Sequence, residues 1–363
     1  MVFPILPANT LSDTGFNIDN SCRWESGENV ALYYTPGENG SGAGKKFTIS
    51  CWVKRAVLGG QKIMMGAGTD SGDDDDTCFR FSSDKLQLTN FAGGASTLYS
   101  TTTNAVFRDV SAWYHVVASV DTSDGTEANR VKLYVNGEYI SGVTGDYPTQ
   151  NFVYKWCMQH MQVVGARPNN DNPPNTTSMI QCTGGYLAEV MMVDNQQLAA
   201  SSFGETDEDS GIWKPKNISG IDVGTNGFYL EFKQTGTGTA GTTTIGADTS
   251  GETNHLTSTG LAATDITTDT PTNNFCTMNP LDSYITTATE GNLQIAQSSG
   301  SYQIITSTIS VPKNGKWYCE VEMDTVDSGA DDHMYMGIIN RDLEIQSASY
   351  DAHNNTIQWH HTA

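Results

Sequence analysis

Residues 113–140 constrain the fold more than any other stretch of this chain, because they contain two strand patterns and a clear turn signal. Apolar and polar residues alternate from Tyr114 to Val120 and again from Val131 to Val135. Successive side chains of a β-strand point to opposite faces of the sheet, so each pattern predicts one buried face and one wetter face. Asn136-Gly137 is the dipeptide best suited to a type I′ turn, and a short return strand follows it. The stretch therefore predicts a half-buried antiparallel meander, which is typical of a β-sandwich.

Further strand patterns occur at short intervals on both sides of the meander. The strongest is FTISCWV, residues 47–53, in which alternate residues again share a face. No segment of ten or more residues has a helical period, although residues 196–203 have room for one helical turn. Short strands without helices between them predict an all-β fold. The other predicted strands are 29–34, 61–65, 78–81, 85–91, 162–165, 186–194 and 227–233.

Composition divides the 363 residues into two β regions. Residues 1–24 are predicted to be irregular, and residues 25–235 carry the strand patterns described above. Residues 236–274 are rich in Thr, Gly, Ala and Asp, so they cannot bury enough apolar surface for a core and predict a linker or an extended surface segment. Strand patterns resume beyond them and predict a second β domain over residues 275–363. It lacks an obvious closing strand, so we expect a domain that is truncated or completed by another chain. Its predicted strands are 292–296, 302–311, 315–323 and 334–339.

Charge and cysteine usage exclude several classes of function. Nineteen basic residues oppose forty-one acidic ones, giving a formal net charge of −22, and such a field repels nucleic acid. No run approaches the ~18 apolar residues of a membrane span, so we expect no membrane insertion. The opening MVFPILPANT lacks the basic region of a signal peptide. Seven cysteines without a CxxC pair predict buried thiols in a reducing compartment rather than a zinc site or a disulfide framework.

Four segments resemble the successive core strands of laminin G-like, concanavalin A-like jelly rolls: FTISCWVKR, AWYHVVASVD, VKLYVNGEYISG and GGYLAEVMMVDNQQL. This resemblance covers residues 25–235 and implies a jelly-roll sandwich that binds rather than catalyses. Three later segments, SSFGETDEDSGIWKPK, GTNGFYLEF and DTPTNNFCTMNPLDS, resemble motifs of virion proteins of tailed bacteriophages, especially marine ones. NGKWYCEVEMD and MYMGIINRD are similar to early strands of a SPRY domain, which implies a partial SPRY-like sandwich after the linker.

The phage resemblance implies a protein on the virion surface, assembled in the host cytoplasm. It implies other virion proteins as partners, a homo-oligomer, in particular a trimer, and contact with host-surface polysaccharide. We therefore expect a tail fibre or similar appendage that contributes to host adsorption through weak glycan contacts multiplied by many copies. A purely structural head-decoration or tail-cementing protein is the alternative.

Glycan binding needs aromatic rings that stack on sugars and polar side chains that bond to hydroxyl groups. Two loops around the strand predicted at residues 162–165 contain both types. The same aromatic residues are compatible with packing or subunit contacts. The candidate glycan-binding residues are Tyr147, Tyr154, Trp156, Asn169, Asn170, Asp171 and Asn172.

A run of four carboxylates, Asp73, Asp74, Asp75 and Asp76, is a candidate Ca²⁺ site. Oxygen-rich loops suit Ca²⁺, and laminin G-like domains often hold one at the rim of the sandwich. A contiguous run cannot direct every carboxylate at one ion, so a solvated loop is the alternative. We expect no cofactor to be required.

Catalytic patterns are weak. Glu320, Glu322 and Asp324 alternate along a predicted strand, and paired carboxylates are what jelly-roll glycosidases use. Their spacing differs from the pattern of that class, and His115 has no identifiable nucleophile with a partner acid. The sequence therefore predicts a protein that is not an enzyme, with glycoside hydrolysis as a distant third function.

Overall fold

The computed structural model describes residues 15–27, 29–68, 76–92, 96–168, 179–283, 288–296, 304–322, 333–339 and 356–362. Regular structure in these ranges is β-strand with short 3₁₀ turns, so the all-β prediction is confirmed. No helix in these ranges is long and apolar enough to cross a lipid bilayer. The described residues form two compact units, of which the first extends to Phe275 and also includes Thr289–Gly291.

The described residues up to Phe275 form twenty short strands and three 3₁₀ turns. The turns are Glu127–Asn129, Ala200–Ser202 and Ala263–Asp265. The strands are β1 Ser21–Trp24, β2 Ala31–Tyr34, β3 Lys46–Arg55, β4 Gln61–Gly68, β5 Thr77–Ser82, β6 Lys85–Ala92, β7 Ser96–Thr103, β8 Trp113–Asp121, β9 Val131–Val135, β10 Glu138–Tyr139, β11 Val143–Thr144, β12 Met161–Val164, β13 Arg167–Pro168, β14 Met179–Ile180, β15 Gly185–Asp194, β16 Gly204–Thr206, β17 Trp213–Pro215, β18 Phe228–Leu230, β19 Thr257–Thr259 and β20 Ile266–Thr267.

Two eight-stranded sheets pack as a sandwich. Sheet 1 has the order β10-β9-β8-β3-β15-β1-β20, with β18 also paired to β15, and sheet 2 has the order β11-β7-β6-β5-β4-β12-β2-β19. The pairs β13–β14 and β16–β17 are small accessory sheets. The core between the two large sheets contains the inward-facing residues of both, such as Ile49, Val116 and Leu187 from sheet 1 and Phe79 and Leu88 from sheet 2.

The meander predicted at residues 113–140 is confirmed. Strand β8 pairs with β9, and β9 pairs with β10. Asn136 and Gly137 have φ values of 48° and 83°, the left-handed geometry that a type I′ turn needs at both central residues. Strands β3 and β15 continue the same sheet beyond β8, as the alternation of their sequences predicts.

The prediction that residues 1–24 are irregular is wrong for Ser21–Trp24. This segment is strand β1, which pairs with both β15 and β20 inside sheet 1. Trp24 is fully buried in the core. Four residues are too few for a pattern of alternation to be recognised in a sequence. The strand is stabilised by its pairing with two neighbouring strands.

The predicted linker at residues 236–274 is also wrong, because this segment completes the sandwich. Strand β19 forms the edge of sheet 2 and β20 the edge of sheet 1. Ile245, Leu256 and Leu261 are the few large apolar residues of the segment, and all three are buried in the common core. Such a segment needs no core of its own when it adds strands to a core that the rest of the chain has formed.

A buried ion pair holds the end of this segment. Lys54 Nζ lies 2.8 Å from Asp269 Oδ2, and both side chains are almost fully buried. Lys54 also donates to the Asn274 side chain and to the Phe275 carbonyl. Asp269 accepts in addition from Trp113 Nε1 at 3.1 Å and from the Phe275 N–H. Residues 269–275 are thus fastened to strand β3 by charge-assisted hydrogen bonds.

The second unit contains β21 Met278–Ser283, β23 Gln294–Ile295, β24 Ile305–Ser307, β25 His333–Ile339 and β26 Thr356–Thr362, and β22 Ala288–Thr289 has one residue in each unit. Strand β21 pairs with β24, and β25 pairs with β26. The strand predicted at residues 315–323 is wrong for residues 315–322, which are irregular and leave Tyr318 84% exposed. Glu320 and Glu322 therefore do not lie on a strand, whereas Asp324 lies outside the described residues.

Candidate functional site

The two outer faces of the sandwich differ in what covers them. On sheet 1, Met191 and Phe203 belong to one buried apolar cluster, and Trp52, Trp113 and Tyr186 belong to another. The protein's own chain therefore occupies much of that face. On sheet 2, the segment around Arg167 crosses strand β4 at Gly66. The remaining strands of sheet 2 present hydrogen-bonding side chains on their outer face.

These side chains form a continuous hydrogen-bonded ladder across four strands. Arg80 alternates with the core residues Phe79 and Phe81, so it points outward. Its Nε donates to Gln87 Oε1 at 2.6 Å, and its Nη1 donates to Gln61 Oε1. Gln87 Nε2 then donates to Ser100 Oγ at 2.9 Å and to Thr102 Oγ1 at 2.8 Å. We call this surface, comprising Gln61, Arg80, Gln87, Ser100, Thr102 and the adjacent Phe91, the ladder face.

Phe91 supplies an aromatic ring beside the ladder. The guanidinium carbon of Arg80 lies 5.0 Å from its ring centroid, and that of Arg167 lies 5.7 Å away. Arg167 is held by an ion pair with Asp76, whose Oδ2 is 3.1 Å from Nη1. The ladder face thus combines a half-buried ring with amide, guanidinium and hydroxyl groups whose positions are fixed by their neighbours. This combination suits a ligand that has both an apolar ring face and several hydroxyl groups.

The structure separates the glycan-binding residues predicted from the sequence. Tyr154 and Trp156 are buried in the core, where both rings pack around Phe47 with centroid distances of 5.6 Å and 6.3 Å. The prediction is wrong for these two, because a ring in the core cannot stack on a sugar. Tyr147 is half-buried against the edge of the core. Asn169, Asn170, Asp171 and Asn172 lie outside the described residues.

The predicted Ca²⁺ site is described only at its last residue. Asp73, Asp74 and Asp75 lie outside the described residues, whereas Asp76 is 5% exposed and paired with Arg167. Asp76 is therefore neither a solvated loop residue nor a carboxylate awaiting a cation. Within the described ranges, no group of three or more His, Cys, Asp or Glu side chains has the geometry of a metal site.

The buried His115 forms hydrogen bonds whose donor and acceptor roles are the reverse of those that catalysis needs. Its Nε2 lies 2.9 Å from Ser50 Oγ, and its Nδ1 accepts from Trp213 Nε1 at 3.1 Å. Because Nδ1 accepts, the neutral ring carries its proton on Nε2 and donates to the serine. A nucleophilic serine needs the opposite arrangement. The ring stacks between Trp52 and Trp213, which makes this a packing site.

This network predicts a pH dependence of stability. Burial lowers the pKa of His115 to about 3, whereas an unfolded histidine titrates near 6.5. Below pH 6.5 the unfolded state binds a proton that the folded state excludes, so stability falls as the pH drops towards 3. Between pH 6.5 and pH 5 we expect wild type to lose about 2 kcal/mol more than His115→Gln, in urea unfolding at each pH. Equal pH slopes for the two proteins would contradict the buried neutral ring.

A small polar pocket at the other end of sheet 1 has no counterpart among the predictions. It has a volume of about 70 Å³ and lies beside Glu189, which has a φ of 48° where β15 departs from regular pairing with β3. Tyr229 Oη donates to the Glu189 carboxyl. Burial raises the pKa of Glu189 to about 7, although the tyrosine hydrogen bond opposes the shift. No sequence signal marks this residue, because its left-handed backbone arises from the bulge. The other lining residues are Phe16, Asn17, Asp19, Asn20, Glu231 and Lys233.

Comparison with known proteins agrees with this architecture. Residues 29–195 match the laminin G family described as the concanavalin A-like lectin/glucanases superfamily. No curated protein sequence matches the chain.

Among solved structures, a heptameric SAP-like pentraxin from Limulus polyphemus is 16% identical, with a TM-score of 0.37 over 51% of this chain and 80% of that one. A candidate carbohydrate-binding protein from Bacteroides ovatus is 15% identical, with a TM-score of 0.40 over 70% of this chain and 60% of that one. Domains LG4-5 of the mouse laminin alpha1 chain are 15% identical, with a TM-score of 0.33 over 55% of this chain and 48% of that one. At these values the likenesses carry no functional information.

The family match, the two packed sheets and the order of their strands agree with one another. Residues 29–195 therefore form a concanavalin A-like jelly roll of the laminin G type, to which β1, β18, β19 and β20 add further strands.

Proposed function

We propose that the first unit binds carbohydrate on its ladder face. The observation that carries this proposal is the hydrogen-bonded series from Gln61 through Arg80 and Gln87 to Thr102 on the outer face of sheet 2. The superfamily that matches residues 29–195 is described by its lectins and glucanases, two classes of protein that contact carbohydrate.

The chemistry of the ladder face fits a sugar. Pairs of hydroxyl groups on a pyranose ring accept and donate at once, and side-chain amides such as Gln87 can do the same. The apolar face of the ring packs on an aromatic side chain, for which Phe91 is placed. Neighbouring hydrogen bonds hold the polar groups before the ligand arrives, so less side-chain entropy is lost on binding.

Glycan-array binding by the purified full chain tests this proposal. Gln87→Ala and Phe91→Ala should each weaken binding by about tenfold or more, the size expected for losing a hydrogen-bonding group or a stacking ring. Tyr139→Ala is the matched control, because Tyr139 is an aromatic residue that is 43% exposed at the edge of sheet 1, away from the ladder face. This variant should bind glycans like wild type. Binding that survives both ladder variants would place the site elsewhere.

The same assay tests two subsidiary proposals. We propose that Ca²⁺ is not required, so binding should be equal in EDTA and in CaCl₂. We also propose that the protein does not hydrolyse the glycans it binds. Release of reducing sugar that disappears in Glu320→Gln or Glu322→Gln would instead show a glycoside hydrolase.

The biological setting that we propose is the surface of a phage virion. The segments that resemble phage proteins support it, and the structure gives two of them a role in the sandwich, since Trp213 packs on His115 and Asp269 pairs with Lys54. A tail fibre or similar appendage, trimeric or otherwise oligomeric, would multiply weak glycan contacts during adsorption. Immunolabelling of intact particles tests this setting, because an appendage projects whereas a head-decoration or tail-cementing protein lies flat.

A further inference from the structure

One cation on the ladder face has no anionic partner in the part of the chain that the structure describes. Arg80 is only 5% exposed, and its guanidinium donates to two neutral amides, those of Gln61 and Gln87. The arginines that form ion pairs among the described residues are Arg23, Arg55, Arg108 and Arg167, and Arg80 is not one of them. Burying a charge without a counter-charge is costly, so this arrangement calls for a physical reason.

The guanidinium keeps one donor group available. Its Nε and Nη1 are engaged in the ladder, whereas Nη2 has no hydrogen-bond partner among the described residues. Unlike the fully buried nitrogens that lack a partner, Nη2 retains some contact with solvent. An acceptor that bonds to Nη2 therefore leaves both hydrogen bonds of Arg80 within the ladder intact.

A second arginine adds to the positive charge at this place. Arg167 contacts the same Phe91 ring, and its Nε has no hydrogen-bond partner. Among the described residues its one carboxylate partner is Asp76, so two described cations and one described anion meet around Phe91. Burial lowers the pKa of the Arg80 guanidinium, and the nearby positive charge of Arg167 also acts to lower it. The charge that the described residues place around Phe91 is thus positive, on a chain whose net charge is −22.

We propose that the ladder face selects an acidic glycan, whose carboxylate or sulfate group accepts from Arg80 while its sugar ring packs on Phe91. This inference rests on the proposed function, because it names the class of carbohydrate for the same face. An anionic oxygen next to Nη2 supplies the counter-charge that the described residues do not. A neutral sugar would leave that charge uncompensated, and charge-assisted hydrogen bonds are about twice as strong as neutral ones.

Matched pairs of probes test the selectivity with the unaltered protein. The pairs are alginate oligosaccharides with their carboxyl-reduced form, sialyllactose with lactose, and dextran sulfate with dextran. We expect at least one acidic member to bind at least tenfold more tightly than its neutral counterpart in calorimetry at 0.15 M NaCl. The carboxylate pairs and the sulfate pair show which anion the face prefers. Equal affinity within every pair would overturn the acidic-glycan inference and leave carbohydrate binding standing, whereas the absence of any glycan binding would overturn both.

Arginine variants locate the selectivity. Arg80→Gln should reduce at least tenfold the ratio of the affinity for the acidic member to the affinity for the neutral member of a pair. Arg80→Lys keeps the charge and should retain part of the preference. Arg130→Gln is the matched control, because Arg130 is 9% exposed and meets no carboxylate, yet its three nitrogens donate to backbone carbonyls. An acidic preference that persists in folded Arg80→Gln would overturn the assignment. Thermal melts check folding, and the glycan pairs decide the question if this variant does not fold.

Discussion

Lys54→Met should lower the free energy of unfolding by about 3–5 kcal/mol in urea titrations at pH 7, because it leaves a buried carboxylate without its cation. The Lys54 and Asp269 side chains are 1% and 4% exposed, so water cannot replace the lost partner. The variant also removes a donor from the Asn274 side chain and from the Phe275 carbonyl. The loss should therefore loosen residues 269–275 along with the pair itself.

Lys46→Met is the matched control for this prediction. Lys46 lies in the same strand and pairs with Asp121 at 2.7 Å, but its side chain is 38% exposed. A solvated pair of this kind contributes at most about 1 kcal/mol. Adding Asp269→Asn to Lys54→Met should recover part of the loss, since an amide still accepts from Trp113 but carries no unpaired charge. Similar losses for the Lys54 and Lys46 variants would contradict a buried, interacting pair.

A chain that ends at residue 235 should fail to fold cooperatively, whereas a chain that ends at residue 292 should unfold in a single transition. The shorter chain loses strands β19 and β20 and the burial of Ile245, Leu256 and Leu261, each worth about 2 kcal/mol. It also removes the buried Lys54–Asp269 pair and the hydrogen bonds around it. The three apolar side chains alone come to about 6 kcal/mol, which is within the range of the whole stability of a typical domain.

Near-ultraviolet circular dichroism and urea unfolding of the two chains measure this difference. The longer chain ends at Asn292 because Glu290 pairs with Arg23, and the Gly291 carbonyl accepts from Tyr186 Oη. If residues 236–274 were a linker, both chains would unfold with the same midpoint. That result would refute the contribution of the segment to the sandwich.

Alternation made most strands of the first unit predictable. Residues 47–53 and 113–135 have a period of two because one face of each strand meets the core and the other does not. Asn136-Gly137 marks the turn between β9 and β10, because few other dipeptides adopt left-handed geometry at both positions. The same periodicity is seen in β5 and β6, where Arg80 and Gln87 alternate with the core residues Phe79 and Leu88. These are local properties, and local properties can be read from a sequence.

Local reading went wrong where residues depend on distant parts of the chain. Tyr154 and Trp156 have the composition of an exposed loop, yet Phe47 buries both of them from more than a hundred positions away. Residues 236–274 lack enough apolar side chains for a core, but they need only fill places in a core built by other strands. A pattern within one segment carries no information about either relationship.

The sequence by itself determined the β architecture, the meander and its turn, and which side chains point away from the core. Only the tertiary structure decided which of these side chains meet. The register of β4–β7 joins Gln61, Arg80, Gln87 and Thr102 into one ladder, and the chain crossing at Gly66 brings Arg167 to Phe91 and Asp76. The physical reason is that alternation sets the face of a residue, whereas strand pairing and packing set its neighbours. The ladder face, in which Arg80 has no described carboxylate partner, is a property of those neighbours.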